Sequence, residues 1–144
     1  LDLPGTKYVV GGGPDFTMLR AKYPLVRFTG YKTGDELARH VAAADVFVFP
    51  SRTDTFGLVL IEALACGGAV AAYPVPGPMD IVRAGETGFL DEDLRQAALN
   101  ALKLDRQTCR AAALAYTWDA CTRQFLEHVE AARPDGVTPA PVPN

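Results

Sequence analysis

Two carboxylates, Asp54 and Glu62, flank a polar loop and the start of an apolar helix in the run Pro50-Ser51-Arg52-Thr53-Asp54-Thr55-Phe56-Gly57-Leu58-Val59-Leu60-Ile61-Glu62-Ala63-Leu64-Ala65-Cys66-Gly67. Glu62 is the only charged residue from Leu58 to Cys66, with Leu58 and Val59 one turn before it and Ala65 and Cys66 one turn after. The spacing predicts an apolar face around Glu62, where a carboxylate is desolvated unless something donates hydrogen bonds to it. The run Val46-Phe47-Val48-Phe49 before Pro50 reads as a buried strand. This strand, loop and helix order aims the amides of Gly57, Leu58 and Val59 at the carboxyl edge of a parallel sheet, where ligands bind in open α/β folds. Unpaired N–H groups and the helix dipole make that end suited to an anion, most naturally a phosphate. The flanking acids can only accept hydrogen bonds, so their natural partners beside a phosphate are hydroxyls. A sugar nucleotide has both halves of the pattern: a diphosphate for the helix end, and ribose and hexose hydroxyls for Asp54 and Glu62. On the residues alone, an alternative stands beside this one: Glu62 as a core-edge acid satisfied by a neighbouring backbone amide.

The elements that must position this loop follow from the rest of the pattern. Strands are expected near 6–10, 25–28, 46–49, 69–73 and 88–90, with helices between most of them. Such alternation implies a doubly wound, Rossmann-like parallel sheet with right-handed crossovers. Gly11-Gly12-Gly13-Pro14 turns the first strand into a helix at 15–22. Phe16 stands where a G-x-G-x-x-G fingerprint needs its third glycine, so the turn reads as turn chemistry. Thr33-Gly34-Asp35-Glu36 has the form of a capping box opening a helix to about Ala43, with His40 off its apolar stripe and read as a solvated surface residue. Pro74, Pro76 and Pro78 with Gly77 make a stiff loop into a short helix at 79–83. Asp91-Glu92-Asp93 reads as acids complementing the dipole of the following helix rather than as a metal site. Further helices are expected at 92–102 and 105–116, and Thr117 caps a last one that begins at Trp118. The domain is placed at 1–133, with 134–144 a disordered proline-rich tail.

The 50–67 run resembles the signature of family-4 (group 1) glycosyltransferases, retaining enzymes of the GT-B fold, in which two acids separated by seven residues (E-x7-E) bracket a Phe-Gly. Here Asp54 stands at the first acid, where the family usually has Glu, and Glu62 at the second. The resemblance runs from Val9-Val10-Gly11-Gly12-Gly13-Pro14 to the Tyr116-Thr117-Trp118-Asp119 turn of the last helix. It implies the C-terminal, nucleotide-sugar-binding half of a GT-B fold, truncated at its N-terminal end. It also implies transfer of a hexosyl unit from a UDP- or GDP-type sugar with retention, no cofactor and no obligatory metal. Catalytic roles then fall to Asp54, on the donor hexose hydroxyls, and Glu62, on the ribose diol. Gly30, Tyr31, Lys32, Thr55, Phe56, Gly57, Leu58, Val59, Glu62 and Gly77 line the nucleotide-sugar site on the same grounds. Asp80, after Gly77, falls at a family acid but equally suits a helix cap. The partners implied are the nucleotide sugar and an N-terminal acceptor domain of the same parent chain. Similar enzymes act on lipid-linked or polysaccharide acceptors at the cytoplasmic membrane face, which implies peripheral membrane association of the parent. Other functions compatible with the scaffold are a GT-B nucleotide-sugar epimerase and a non-catalytic nucleotide-binding domain.

Composition bounds these readings. The 144 residues are 49% hydrophobic and 22% charged with a formal net charge of −3, which suits one α/β domain and argues against nucleic acid as a partner. Cys66, Cys109 and Cys121 form an odd set without C-x-x-C spacing, which favours reduced thiols in the cytoplasm.

Overall fold

The computed structural model describes residues 2–132, so the proline-rich stretch expected to be a tail lies outside the described residues. The chain divides into two compact units, Leu1–Ala113 and Leu114–Asn144.

The first unit alternates strand and helix: β1 (Tyr8–Val10), α1 (Phe16–Lys22), β2 (Arg27–Gly30), α2 (Gly34–Ala42), β3 (Val46–Phe49), α3 (Leu58–Ala65), β4 (Ala69–Ala72), α4 (Pro78–Ile81), β5 (Gly88–Leu90), α5 (Leu94–Ala101) and α6 (Arg106–Ala113). Every strand pair is parallel, as an alternating order requires, because only a crossover helix can return the chain to the same end of a sheet. The strands fall into two groups, β1–β2 and β3–β4–β5. Where one continuous sheet is expected, no hydrogen-bonded ladder joins these groups among the described residues.

The core belongs to the three-stranded group. All of β4 is buried, and its small residues Ala69, Ala71 and Ala72 let α3 and α5 approach it closely. Leu60, Ala63 and Leu64 of α3, Ala97, Ala98 and Ala101 of α5, and Cys109 and Ala113 of α6 close the cluster. Thr87 is its buried polar member, and its Oγ1 accepts the Arg83 amide at 2.9 Å, which leaves no orphaned group. Burial pushes the Cys109 thiol up from its ordinary range, as befits a packing residue beside the Glu86 and Thr87 carbonyls.

Arg106 ties helix ends together. Its Nη1 donates to the Ala44 carbonyl at 2.6 Å, and its Nη2 to Ala42 at 2.6 Å and Cys66 at 3.4 Å. Arg110 Nη1 donates to Ala65 at 3.0 Å. Both guanidinium groups meet carbonyls that α2 and α3 leave unpaired at their negative ends.

The expected capping box at Thr33 does not form: Thr33 makes no side-chain cap bond, and the Glu36 carboxylate is held by Lys32 instead. An ion pair one helical turn away replaced the reciprocal amide bond. His40 is half-buried rather than fully solvated, with Nδ1 2.8 Å from the Glu36 carbonyl oxygen. Asp93 does cap α5, accepting from the amides of Arg95 and Gln96.

The second unit contains α7 (Trp118–Ala131), capped by Thr117, whose hydroxyl accepts the Ala120 amide at 3.1 Å. No helix among the described residues is long and apolar enough to cross a membrane.

Candidate functional site

The loop between β3 and α3 is shaped by its own short-range bonds. Ser51 Oγ donates to the Thr53 carbonyl at 3.0 Å, and Asp54 Oδ1 accepts the Phe56 amide at 3.1 Å in an Asx-type turn. At the N-cap of α3, Gly57 adopts φ +81° and is buried. A Cβ there would lie 2.9 Å from Leu60 Cδ1, so left-handed backbone and lack of space both require glycine. Gly77, at φ +87°, brings the loop between β4 and α4 against this turn: a Cβ on it would sit 3.4 Å from Asp54 Cβ and 3.5 Å from the Phe56 carbonyl carbon.

The helix end matches the expectation. Among the described residues the amides of Gly57, Leu58 and Val59 have no protein acceptor, and Leu60 is the first of the helix to donate, to the Gly57 carbonyl. Thr53, Asp54 and Thr55 line an open hollow of ≈ 400 Å³ beside them. Thr55, Phe56 and Leu58 are exposed and Val59 is half-buried.

Glu62 differs from its expected setting. It is exposed, as are Leu58 and Ala65 on the same face of α3, so its carboxylate is not desolvated. Leu60, Ala63 and Leu64 form the buried face, and positions 58, 62 and 65 lie opposite to it. A helix apolar all round hides from sequence which face turns inward. The outward face is thus apolar with one acid at its centre.

Gly30, Tyr31 and Lys32 lie at the carboxyl end of β2. No hydrogen bond among the described residues links them to the 51–57 loop. Tyr31 instead lies over the glycine turn, its hydroxyl donating to the Gly12 carbonyl at 3.0 Å, and Lys32 is engaged by Glu36. That turn, with Val9, Phe16 and Phe28, lines a second hollow of ≈ 280 Å³. Asp80 is exposed in the first turn of α4. Among the described residues no group of three His, Cys, Asp or Glu side chains is arranged to hold a metal ion.

Sequence reasoning passed over Arg52. Its guanidinium stacks on the Tyr73 ring, Cζ 3.8 Å from the centroid, and its Nη1 donates to Glu92 Oε2 at 3.0 Å. That bond to Glu92 holds the guanidinium above its ordinary pKa. The signal was present in register: Arg52, Tyr73 and Glu92 each follow the carboxyl end of one of three adjacent parallel strands.

Comparison with known proteins agrees with this architecture. The family model of glycosyl transferases group 1 matches residues 5–104. A GDP-mannose-dependent alpha-mannosyltransferase of Mycobacterium tuberculosis is 35% identical over 134 residues, covering 87% of this chain and 35% of the relative. The sulfoquinovosyl transferase SQD2 of Arabidopsis thaliana is 38% identical over 133 residues, covering 81% of this chain and 26% of the relative. Among solved structures, Anabaena HepE in complex with UDP-glucose superposes with a TM-score of 0.61 at 25% identity, over 88% of this chain and 41% of that one. The chain therefore spans about a third of the curated relatives it matches. With its parallel α/β fold, its 51–57 loop and a family match over most of its length, the chain belongs to the group 1 glycosyltransferases of the GT-B fold.

Proposed function

We propose that this chain is the donor-binding part of a retaining glycosyltransferase that moves a hexosyl unit from a nucleoside-diphosphate sugar to an acceptor. The observation that carries the reading is the set of unpaired amides at Gly57, Leu58 and Val59, bracketed by Asp54 and an exposed Glu62 at the carboxyl edge of a parallel sheet. The diphosphate meets those amides, Glu62 accepts from the ribose diol, and Asp54 accepts from the hexose hydroxyls. Asp54 has one oxygen engaged by the Phe56 amide and its second available. Catalysis on this plan is electrostatic, with fixed donors stabilising the leaving diphosphate. The relatives named for GDP-mannose and the structure holding UDP-glucose support a nucleotide sugar as donor.

The remainder of the parent supplies what the two sheet groups lack. One parallel strand between the free edges of β1 and β3 would give the doubly wound order β2-β1-x-β3-β4-β5, with the ligand crevice at the reversal. A separate acceptor domain then holds the second substrate. Orienting two reactants contributes about 7–11 kcal/mol to such a step, so this chain alone folds but does not transfer sugar. The parent works in the cytoplasm, and a lipid-linked or polysaccharide acceptor brings it to the membrane face.

The test is a titration of the full-length parent with nucleoside diphosphates and their sugars, with and without acceptor. Glu62→Gln should weaken nucleotide binding with little change in Tm, because the amide keeps the volume of an exposed side chain. Asp54→Asn should lower sugar-dependent turnover most. Unchanged donor affinity in both variants would return these acids to a purely structural role, and acceptor-independent conversion of the sugar would mark an epimerase.

A further inference from the structure

Arg52 reaches two neighbouring segments at the carboxyl edge of the three-stranded group, from the loop that carries Asp54. Its stack on Tyr73 reaches the residue after β4, and its bond to Glu92 reaches the turn after β5. The β4–α4 loop is itself stiff. Pro74, Pro76 and Pro78 fix φ at alternate positions, the Val75 amide closes a tight turn onto the Tyr73 carbonyl at 2.9 Å, and the Asp80 amide closes another onto Gly77. This stiff loop meets the acid loop at Tyr73 through Arg52 and approaches it closely at Gly77, where a Cβ would come within 3.4 Å of Asp54 Cβ. Within its own loop the Asp54 turn is held by the short-range Asx bond to the Phe56 amide and the Ser51–Thr53 bonds beside it.

Building on the glycosyltransferase reading, we propose that Arg52 is a positioning residue that sets Asp54 for the donor sugar by locking the β3–α3 loop onto the proline-rich β4–α4 loop. The stack carries more of this than the ion pair. Arg52 and Glu92 are both more than half exposed, and a solvated pair of that kind is screened and weak. The planar guanidinium on an aromatic face also fixes orientation as well as distance, which a lysine ammonium does not. The nucleoside-diphosphate part of the donor is assigned to the α3 amides and Glu62, and the contacts of Arg52 go to Tyr73 and Glu92. Loss of Arg52 should therefore act on turnover and leave nucleotide affinity alone.

The experiment uses the full-length parent and compares Arg52→Ala, Arg52→Lys, Tyr73→Leu and Tyr73→Phe. Arg52→Ala and Tyr73→Leu should each lower kcat on the order of tenfold, since sub-ångström misplacement of a substrate-orienting group costs rates of that size. Affinity for the nucleoside diphosphate without its sugar should stay within about twofold. Tyr73→Phe keeps the ring and should restore parent-like kcat, and Arg52→Lys should fall between. Amide hydrogen exchange across residues 53–58 should accelerate in Arg52→Ala and not in Tyr73→Phe. Parent-like kcat in Arg52→Ala, or nucleoside-diphosphate affinity that falls in step with kcat, overturns the positioning role while leaving the glycosyltransferase reading intact. A parent that turns over no nucleotide sugar overturns that reading and this one with it, whereas unchanged exchange at 53–58 in a turning-over parent overturns only this one.

Discussion

The two strand groups of the first unit are built from the same parts and reach different states. β3, β4 and β5 are held under α3 and α5, and β4 has no exposed residue. β1 and β2 are joined by an equally parallel ladder, and Phe16 of α1 meets Phe28 of β2 edge to face at 5.7 Å. Yet Tyr8 is 54% exposed, Val9 41%, and Leu25 90%. Parallel sheets occur almost only with both faces covered, and β1–β2 is the half that the described residues cover least. An apolar strand left this open is also an edge at risk of pairing with other chains.

The comparison is most easily broken by truncating one apolar residue on each side. Leu60 is fully buried among β4-facing helices, and Leu60→Ala should cost about 2–5 kcal/mol by urea unfolding. Val9→Ala, in the open half, should change stability by about 0.5 kcal/mol or less in this chain. The same Val9→Ala change in the full-length parent should cost more, about 1 kcal/mol or above, if a strand covers β1 there. Equal and small effects in both contexts would mean that β1 stays open.

A smaller effect tests how the helix ends beside the covered half are tied. Arg106, from α6, donates to the carbonyls of Ala42 and Ala44 at the end of α2 and to Cys66 after α3, so it joins the ends of three helices. Arg106→Ala should destabilise the chain by about 1.5–3 kcal/mol, the range for hydrogen bonds that involve a charged group. Arg106→Lys should recover less than half of that, because one ammonium cannot reach three carbonyls arranged for a fork. Full recovery by lysine would reduce Arg106 to a point charge at a helix end.

How far this was legible in the sequence follows from the range of each interaction. Strand and helix order was read correctly because hydrophobic period and the Gly and Pro punctuation are local signals. β3 and β5 fall at the expected residues, and α3 starts after Gly57 as a glycine in αL requires. The break in the sheet was not legible, since it depends on which strand edges meet across the chain. Thr33 satisfied the capping-box spacing, but Lys32 lay within reach of Glu36 and took its carboxylate. Glu62 was expected to be desolvated because every neighbour on its face is apolar. In α3 the inward and outward faces have the same character, and only the packing of Leu60, Ala63 and Leu64 against β4 distinguishes them. Arg52 sits in the same motif as Asp54, and its register with Tyr73 and Glu92 became a signal only once the pairing order β3-β4-β5 put their three strands side by side.

The smallest effect is electrostatic and again sets one half against the other. In the covered half, Asp105 accepts from the Thr108 amide at 2.7 Å and the Thr108 hydroxyl at 2.9 Å, which holds its carboxyl below the ordinary value of 3.8. In the open half, Lys32 holds the Glu36 carboxyl below its ordinary 4.5, chiefly through their direct hydrogen bond. Both folded-state pKa values are lowered, so both acids contribute stability that is present above their ordinary values and is lost as pH falls through the lowered ones. The donors differ, however. A backbone amide fixed by α6 keeps its geometry in any salt, whereas a pair between two solvated side chains is screened. Acid titrations of the unfolding midpoint for Asp105→Ala and Glu36→Gln should therefore both converge on the unmodified protein as pH drops below the carboxylate range. Repeated in about 1 M salt, where the Debye length is about 3 Å, the Glu36→Gln difference should shrink at neutral pH while the Asp105→Ala difference persists. If salt removed both differences equally, the Asp105 bond would be no more fixed than the Lys32 pair, and the distinction between a cap set by packed backbone and a free ion pair would fail at this position.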